Sequence, residues 1–178
     1  IIFTPTLTCN YTCSYCGCAA GVYKRKKFQS SFPEMNLDEW EKVFNEVKKK
    51  YKKVHIQTNG GEPFLNKATF QVIKNTSKYF SWNLSSNISV GIDQLINSDI
   101  QAFDKRKDTG LQITASMHPT TRNWDFDKFL KNLLLLKKKN YLRGNNFVGW
   151  PGQIYKYEKL KEIFDKYDIE ILLQPWVG

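Results

Sequence analysis

Beyond residue 18 the chain has no cysteine. A disulfide framework spreads its cysteines to close long loops, so this absence excludes one. Long apolar runs are missing as well. The longest extends from Leu133 to Leu136, whereas a helix that crosses a bilayer needs about 20 residues. No membrane partner is therefore expected. Arginine is scarce: Arg25, Arg106, Arg122 and Arg143 are the only ones among 27 basic residues. The excess over 17 acidic residues leaves a net charge of +10, which taken alone points to an anionic partner. Lysine lacks the fork with which arginine grips phosphate, so nucleic acid is not the expected partner. No repeat, low-complexity tract or Pro/Gly linker divides the chain, no basic leader accompanies Ile1 to Leu7, and there is no initiator methionine. We read residues 1–178 as one domain cut from a longer protein.

Hydrophobic residues make up 41% and charged residues 25% of the chain, which is enough apolar content for a folded core. Short strand-like stretches recur at Ile1-Ile2-Phe3, Val54-His55-Ile56, Trp82-Asn83-Leu84, Leu111-Gln112-Ile113, Asn146-Phe147-Val148 and Ile169 to Leu173. Helical periodicity separates them. It is marked by Leu37, Trp40, Val43, Phe44, Val47 and Tyr51, with Asn36 as N-cap, and by Phe70, Ile73 and Phe80. It recurs at Ile92, Leu95 and Ile96, at Phe126, Phe129, Leu130, Leu133, Leu134 and Tyr141, and at Ile154, Tyr157, Leu160, Ile163, Phe164 and Tyr167. Aromatics at this spacing are expected in the core. Six strands alternating with five helices predict an α/β fold on a parallel sheet wound in one direction or two. Six strands fall short of a complete eight-unit barrel. The runs Lys48-Lys49-Lys50 and Lys137-Lys138-Lys139 fall at helix C-terminal ends, where cations meet the negative end of the helix dipole. Lys24-Arg25-Lys26-Lys27 has no such explanation and is a candidate contact for an anionic partner.

All four cysteines, Cys9, Cys13, Cys16 and Cys18, lie between residues 9 and 18. Such clustering favours a metal site in a reducing compartment, hence a cytoplasmic location. Strand one leads into CxxxCxxC, formed by Cys9, Cys13 and Cys16. Three thiolates on one tight loop suit three irons of a 4Fe–4S cubane and leave the fourth iron open to a ligand. Strand two ends in Thr58-Asn59-Gly60-Gly61-Glu62-Pro63. Its glycines permit positive φ and close backbone approach. Glu62 puts a carboxylate at the C-terminal end of a strand, where open α/β sheets bind ligands, and its natural partner is a cation or amine. The long connection from Gly17 to Met35 is expected to cover whatever the cluster binds.

CxxxCxxC after strand one, with Tyr15 just before the third cysteine and Gly60-Gly61-Glu62-Pro63 after strand two, resembles the radical S-adenosylmethionine (radical SAM) superfamily. The resemblance spans essentially the whole chain and implies a partial (β/α)6 TIM-like barrel of parallel strands. It implies that Cys9, Cys13 and Cys16 ligate a 4Fe–4S cluster, with the amino and carboxylate groups of SAM on the fourth iron. It further implies that Tyr15 lies beside the adenine through its backbone, and that Gly60, Gly61 and Glu62 receive the methionine amino group. Ser116, late in strand four, matches a polar contact to the SAM carboxylate or ribose. Val148 and Gly149 match a small motif that packs on adenine. Asn87 matches a polar cofactor or substrate contact at the end of strand three. The implied chemistry is reductive cleavage of SAM to a 5′-deoxyadenosyl radical, which abstracts hydrogen from an organic substrate. Its implied reductant is an electron donor such as flavodoxin or ferredoxin.

Plainer readings stand beside these. A non-catalytic zinc-binding interaction module could use Cys18 as a fourth ligand, although zinc knots usually pair two separated arms. Cys18 is otherwise a small buried residue. Thr114, Ser116 and His118 share one strand face by alternation, which favours a site role for His118 over a merely hydrogen-bonded histidine. His55, in mid-strand, reads as a satisfied structural histidine. Asn87 could cap a turn, and Tyr15 could be a packing aromatic. Gln174 and Trp176 could face a substrate.

Overall fold

The computed structural model describes residues 1–16 and 34–176. Cys18, the basic run Lys24 to Lys27 and most of the connection expected to act as a cover lie outside the described residues. Six strands are present: β1 (Ile2–Phe3), β2 (His55–Thr58), β3 (Ser81–Ser86), β4 (Gly110–Met117), β5 (Leu142–Gly149) and β6 (Ile171–Pro175). The described helices are α1 (Leu37–Lys50), α2 (Lys67–Thr76), α3 (Ile92–Ile96), α4 (Phe126–Lys138) and α5 (Tyr157–Asp165).

All neighbouring strands pair in parallel, in the order β1-β2-β3-β4-β5-β6. The sheet is therefore wound in one direction, which settles the alternative that the sequence left open. It curls as a partial TIM-like barrel whose outer strands, β1 and β6, each pair on one side only.

Local signals explain the elements. Asn36 caps α1 with its side chain on the Glu39 N–H (3.0 Å), and the Glu39 carboxylate returns to the Asn36 N–H (2.8 Å). This reciprocal capping satisfies donors that would otherwise be orphaned at the helix start. Asn66 and Asp125 cap α2 and α4 in the same side-chain manner. Four residues expected to continue helices lie beyond their ends: Tyr51 just after α1, Phe80 in the turn before β3, Tyr141 between α4 and β5, and Tyr167 after α5. Phe80 and Tyr141 are buried, so their spacing reflects core burial and not helix length, whereas Tyr51 and Tyr167, also expected in the core, are exposed. Ile154 likewise belongs to a 3-10 turn, Ile154–Lys156, that leads into α5.

The core lies between sheet and helices. Phe3, 1% exposed, belongs to it and lies edge-on to Trp40, Phe44 and Trp82. Along β4, Leu111, Ile113, Ala115 and Met117 are fully buried in that core. The alternate residues Gln112, Thr114 and Ser116 face the other way, into the lumen. There the Thr114 hydroxyl donates to Asn83 Oδ1 at 2.9 Å. One face of the sheet is thus apolar against helices, and the other is a polar inner wall.

Because every strand runs the same way, the helix C-termini and the turns into the strands collect at one end. Basic residues 48–50, 52–53, 105–107 and 137–139 lie there. The strand C-termini open at the opposite end.

Candidate active site at the strand C-termini

Residues after β1, β2, β3 and β4 converge on one cavity. It is lined by Cys9, Cys13 and Cys16 from the loop after β1, Gly60, Gly61 and Glu62 after β2, Ser85, Ser86 and Asn87 from β3, and Ser116 and His118 from β4, with Tyr11 beside them. Nine of the residues singled out in the sequence are therefore brought together: the three cysteines, Gly60, Gly61, Glu62, Asn87, Ser116 and His118. Tyr15, Val148 and Gly149 do not line this cavity. Among the described residues no three His, Cys, Asp or Glu side chains are gathered tightly enough to chelate a single ion. All three cysteines nevertheless line the one cavity.

The turn after β2 is stitched to the strand that leads to Cys9. Gly61 N–H donates to Thr6 O, and Glu62 N–H to Thr8 O, both at 2.8 Å. Gly60 holds φ +108°, and a β-carbon there would lie 2.6 Å from Thr6 O. At Gly61 a β-carbon would overlap the Thr8 carbonyl. The missing side chains thus make room for the backbone of the cysteine loop.

Glu62 is 2% exposed. Its Oε1 accepts from the Ser86 hydroxyl and its Oε2 from the Asn87 N–H, each at 2.8 Å. Burial pushes its pKa up to about 7, and these hydrogen bonds pull against that rise. Asn87 donates through Nδ2 to Asn10 Oδ1 (2.9 Å) and approaches Cys9 Sγ at 3.8 Å. Its Oδ1 meanwhile accepts from Ser89 N–H at 3.0 Å. Asn87 therefore caps the turn after β3 and also holds the cysteine loop.

Cys13 is buried, and its Sγ pairs with Thr121 Oγ1 at 3.1 Å. Desolvation raises its thiol pKa, and the Thr121 hydrogen bond opposes the rise. The Tyr15 hydroxyl meets His118 Nδ1 at 2.6 Å, and its ring stacks on His118 and lies tilted beside Trp150. His118 is recessed in the cleft, and desolvation lowers its pKa to about 4. It is neutral at physiological pH. Val148 lies behind Tyr15's neighbour Trp150, where its carbonyl accepts from Gln153 Nε2 at 2.7 Å. Gly149 packs against the Gln174 backbone. His55, expected in mid-strand as a satisfied structural histidine, stands exposed at the start of β2, 3.6 Å from Asp108.

Sequence reasoning passed over Thr121, Tyr11 and Asn10. Thr121 follows β4 in a tight turn, with its N–H on His118 O at 3.0 Å, and nothing in its spacing marks it. Ser86 stood beside Asn87 in a visible Ser-Ser-Asn run, but its bond to Glu62 appears only in three dimensions.

The family profile of the radical SAM superfamily matches residues 3–165. The chain belongs to the radical SAM superfamily. Solved structures share its fold. One, described as native anSMEcpe with bound AdoMet, superposes with a TM-score of 0.72 at 17% identity, over 99% of this chain and 51% of that one. Another, native anSMEcpe with bound AdoMet and Cp18Cys peptide, gives a TM-score of 0.71 at 16% identity, over 99% of this chain and 50% of that one. The radical SAM chain described here thus spans about half the length of these relatives. No curated protein matches its sequence closely. As a radical SAM domain it belongs to a superfamily of enzymes.

Proposed function

We propose that the cavity holds a 4Fe–4S cluster on Cys9, Cys13 and Cys16, binds SAM beside it, and cleaves SAM reductively. The observation that carries this reading is the shared wall: three thiols, the Gly60-Gly61-Glu62 turn and Asn87 line one cavity. The residues fit both groups. The thiols offer soft donors suited to iron. The buried Glu62 carboxylate, held near neutrality by burial, would recover its charge against the amino group of SAM. Ser116 would contact the SAM carboxylate or ribose. The Tyr15 backbone, with Val148 and Gly149 at the β5 end, would flank the adenine. When bound, the cluster supplies the electron that splits the SAM sulfonium into methionine and a 5′-deoxyadenosyl radical able to abstract hydrogen from a substrate.

The chain's own residues hold and orient. The Gly61 and Glu62 amides fix the cysteine loop, Asn87 ties that loop to β3, and Tyr15 and His118 brace it against β4. The reaction needs a one-electron donor such as flavodoxin or ferredoxin and a reducing compartment, for which we propose the cytoplasm. The organic substrate belongs to the whole protein, of which residues 1–178 would form the radical SAM core.

Anaerobic reconstitution with iron and sulfide tests the reading. Wild type is expected to load iron, bind SAM by calorimetry, and release 5′-deoxyadenosine under dithionite. Cys13→Ala and Cys16→Ala are expected to lose the cluster and the product. Full iron loading in either variant, or equal product from wild type and Cys16→Ala, would overturn the proposal.

A further inference from the structure

The cysteine sulfurs differ in what donates to them. Cys9 Sγ accepts from the Tyr11 N–H at 3.4 Å, with Asn87 Nδ2 at 3.8 Å. Cys13 Sγ meets the Thr121 hydroxyl at 3.1 Å, from a turn 108 residues further along the chain. Thr121 is 7% exposed. The turn that carries it is locked from both sides: Thr121 N–H donates to His118 O, and Trp124 N–H to Thr121 O, both at 3.0 Å. Asn123 Nδ2 adds a bond to Asn10 O at 2.9 Å, tying the same turn to the cysteine loop. A hydroxyl so fixed, beside a buried sulfur, is a preorganised donor.

We propose that Thr121 tunes the reduction potential of the cluster held by Cys9, Cys13 and Cys16. The inference rests on the cluster reading above. A Cys13 bound to iron has lost its S–H proton, so the Thr121 hydroxyl becomes the donor and the sulfur the acceptor. One electron enters from an external one-electron reductant, and no bond to Thr121 forms or breaks. The added negative charge spreads onto the ligand sulfurs, where a donor hydrogen bond stabilises it. The reduced form is thereby favoured and the potential raised. Thr121 touches a ligand and not the reacting atoms, so its role is to position a dipole on that ligand.

The test is a redox titration of the reconstituted chain, followed by the electron paramagnetic resonance of the reduced cluster. Thr121→Val keeps the shape and removes the donor, and Thr121→Ser keeps the donor. Thr121→Val is expected to shift the reduction equilibrium about tenfold toward the oxidised form, or about 59 mV for a one-electron couple. Thr121→Ser is expected to titrate with wild type. An unchanged midpoint in a fully loaded Thr121→Val protein overturns the inference and leaves the cluster reading intact. Failure of wild type to load iron overturns the cluster reading itself. Should Thr121→Val not fold, Thr121→Ala removes the same donor and is judged by the same midpoint. Loss of the cluster from a folded Thr121→Ala protein would make Thr121 structural and also overturn the inference.

Discussion

Glu62 and His118 line the same cavity, and burial strains them in opposite directions. The Glu62 carboxyl is raised from 4.5 to about 7. Folded chains keep a proton there that unfolded chains release, so its contribution to stability falls as pH climbs from about 4.5 to about 7. His118 is lowered from 6.5 to about 4. Unfolded chains take up a proton that folded chains refuse, so its contribution falls as pH drops from about 6.5 to about 4. Between pH about 4.5 and about 6.5 the two slopes oppose, each approaching about 1.4 kcal/mol per pH unit, and nearly cancel. In the cluster-free chain, Glu62→Gln is expected to uncover a stability that rises with pH across this window. His118→Gln is expected to uncover one that falls. Denaturant midpoints measured at successive pH values check this, and parallel profiles for wild type and both variants would show that neither group is shifted. The carboxylate was legible in the sequence as a site residue because it follows two glycines at a strand end. Its burial under Ser86 and Asn87 was not, because that depends on where β3 ends relative to β2.

At the scale of the element, the joint between the β2 turn and the cysteine loop is made of backbone. Gly61→Ala puts a methyl group where the Thr8 carbonyl sits, and neither side has a flexible atom that can yield. We expect a loss of about 1–3 kcal/mol, typical of overpacking, together with weakened iron loading, because the displaced segment leads directly into Cys9. Iron content and denaturation of Gly61→Ala check both halves. Wild-type loading and stability would show that the turn is not coupled to the loop. The elements themselves were largely legible. Asn36 announced the start of α1, and six short stretches marked six strands. The helix ends were less so, since Phe80 and Tyr141 keep helical spacing for the sake of the core after the helices have stopped. On β4 the alternation of Leu111, Ile113, Ala115 and Met117 with Gln112, Thr114 and Ser116 was visible. Only the closure of neighbouring strands shows that the polar face is an inner wall and not a solvent face.

For the whole molecule, parallel winding sorts charge. Residues 48–50, 52–53, 105–107 and 137–139 share the end opposite the cavity, so 11 of the 27 basic residues gather there, with Asp104, Asp108 and Asp168 among them. The ion pairs there are exposed, as between Lys107 and Asp104 at 3.8 Å or Lys53 and Asp108 at 3.9 Å, and such pairs contribute little. Repulsion on that face should therefore be felt at low salt. Stability is expected to rise by roughly 1 kcal/mol between about 10 mM and about 150 mM sodium chloride, as the screening length shrinks from about 30 to about 8 Å. Thermal denaturation at the two salt concentrations checks this, and the rise should shrink in a Lys52→Glu, Lys138→Glu double variant. A salt-independent midpoint would show that the repulsion is already dissipated. The runs at 48–50 and 137–139 were legible in the sequence as helix ends, but their gathering at one pole with residues 105–107 required the strand order.

β1 spans only Ile2–Phe3 and pairs on one side alone, yet the strand it begins delivers all three cavity cysteines. Phe3 nails it to the core, and past that residue a short stretch of backbone bonds holds the loop to the β2 turn. The segment closest to the chemistry is thus held by bonds that reach it from β2, β3 and β4 and not by long strand pairing of its own, so its order depends on those elements being in place first. Bridged by a cluster, three points of this short strap would be clasped together, so maturation would act as the last step of folding for this corner of the molecule.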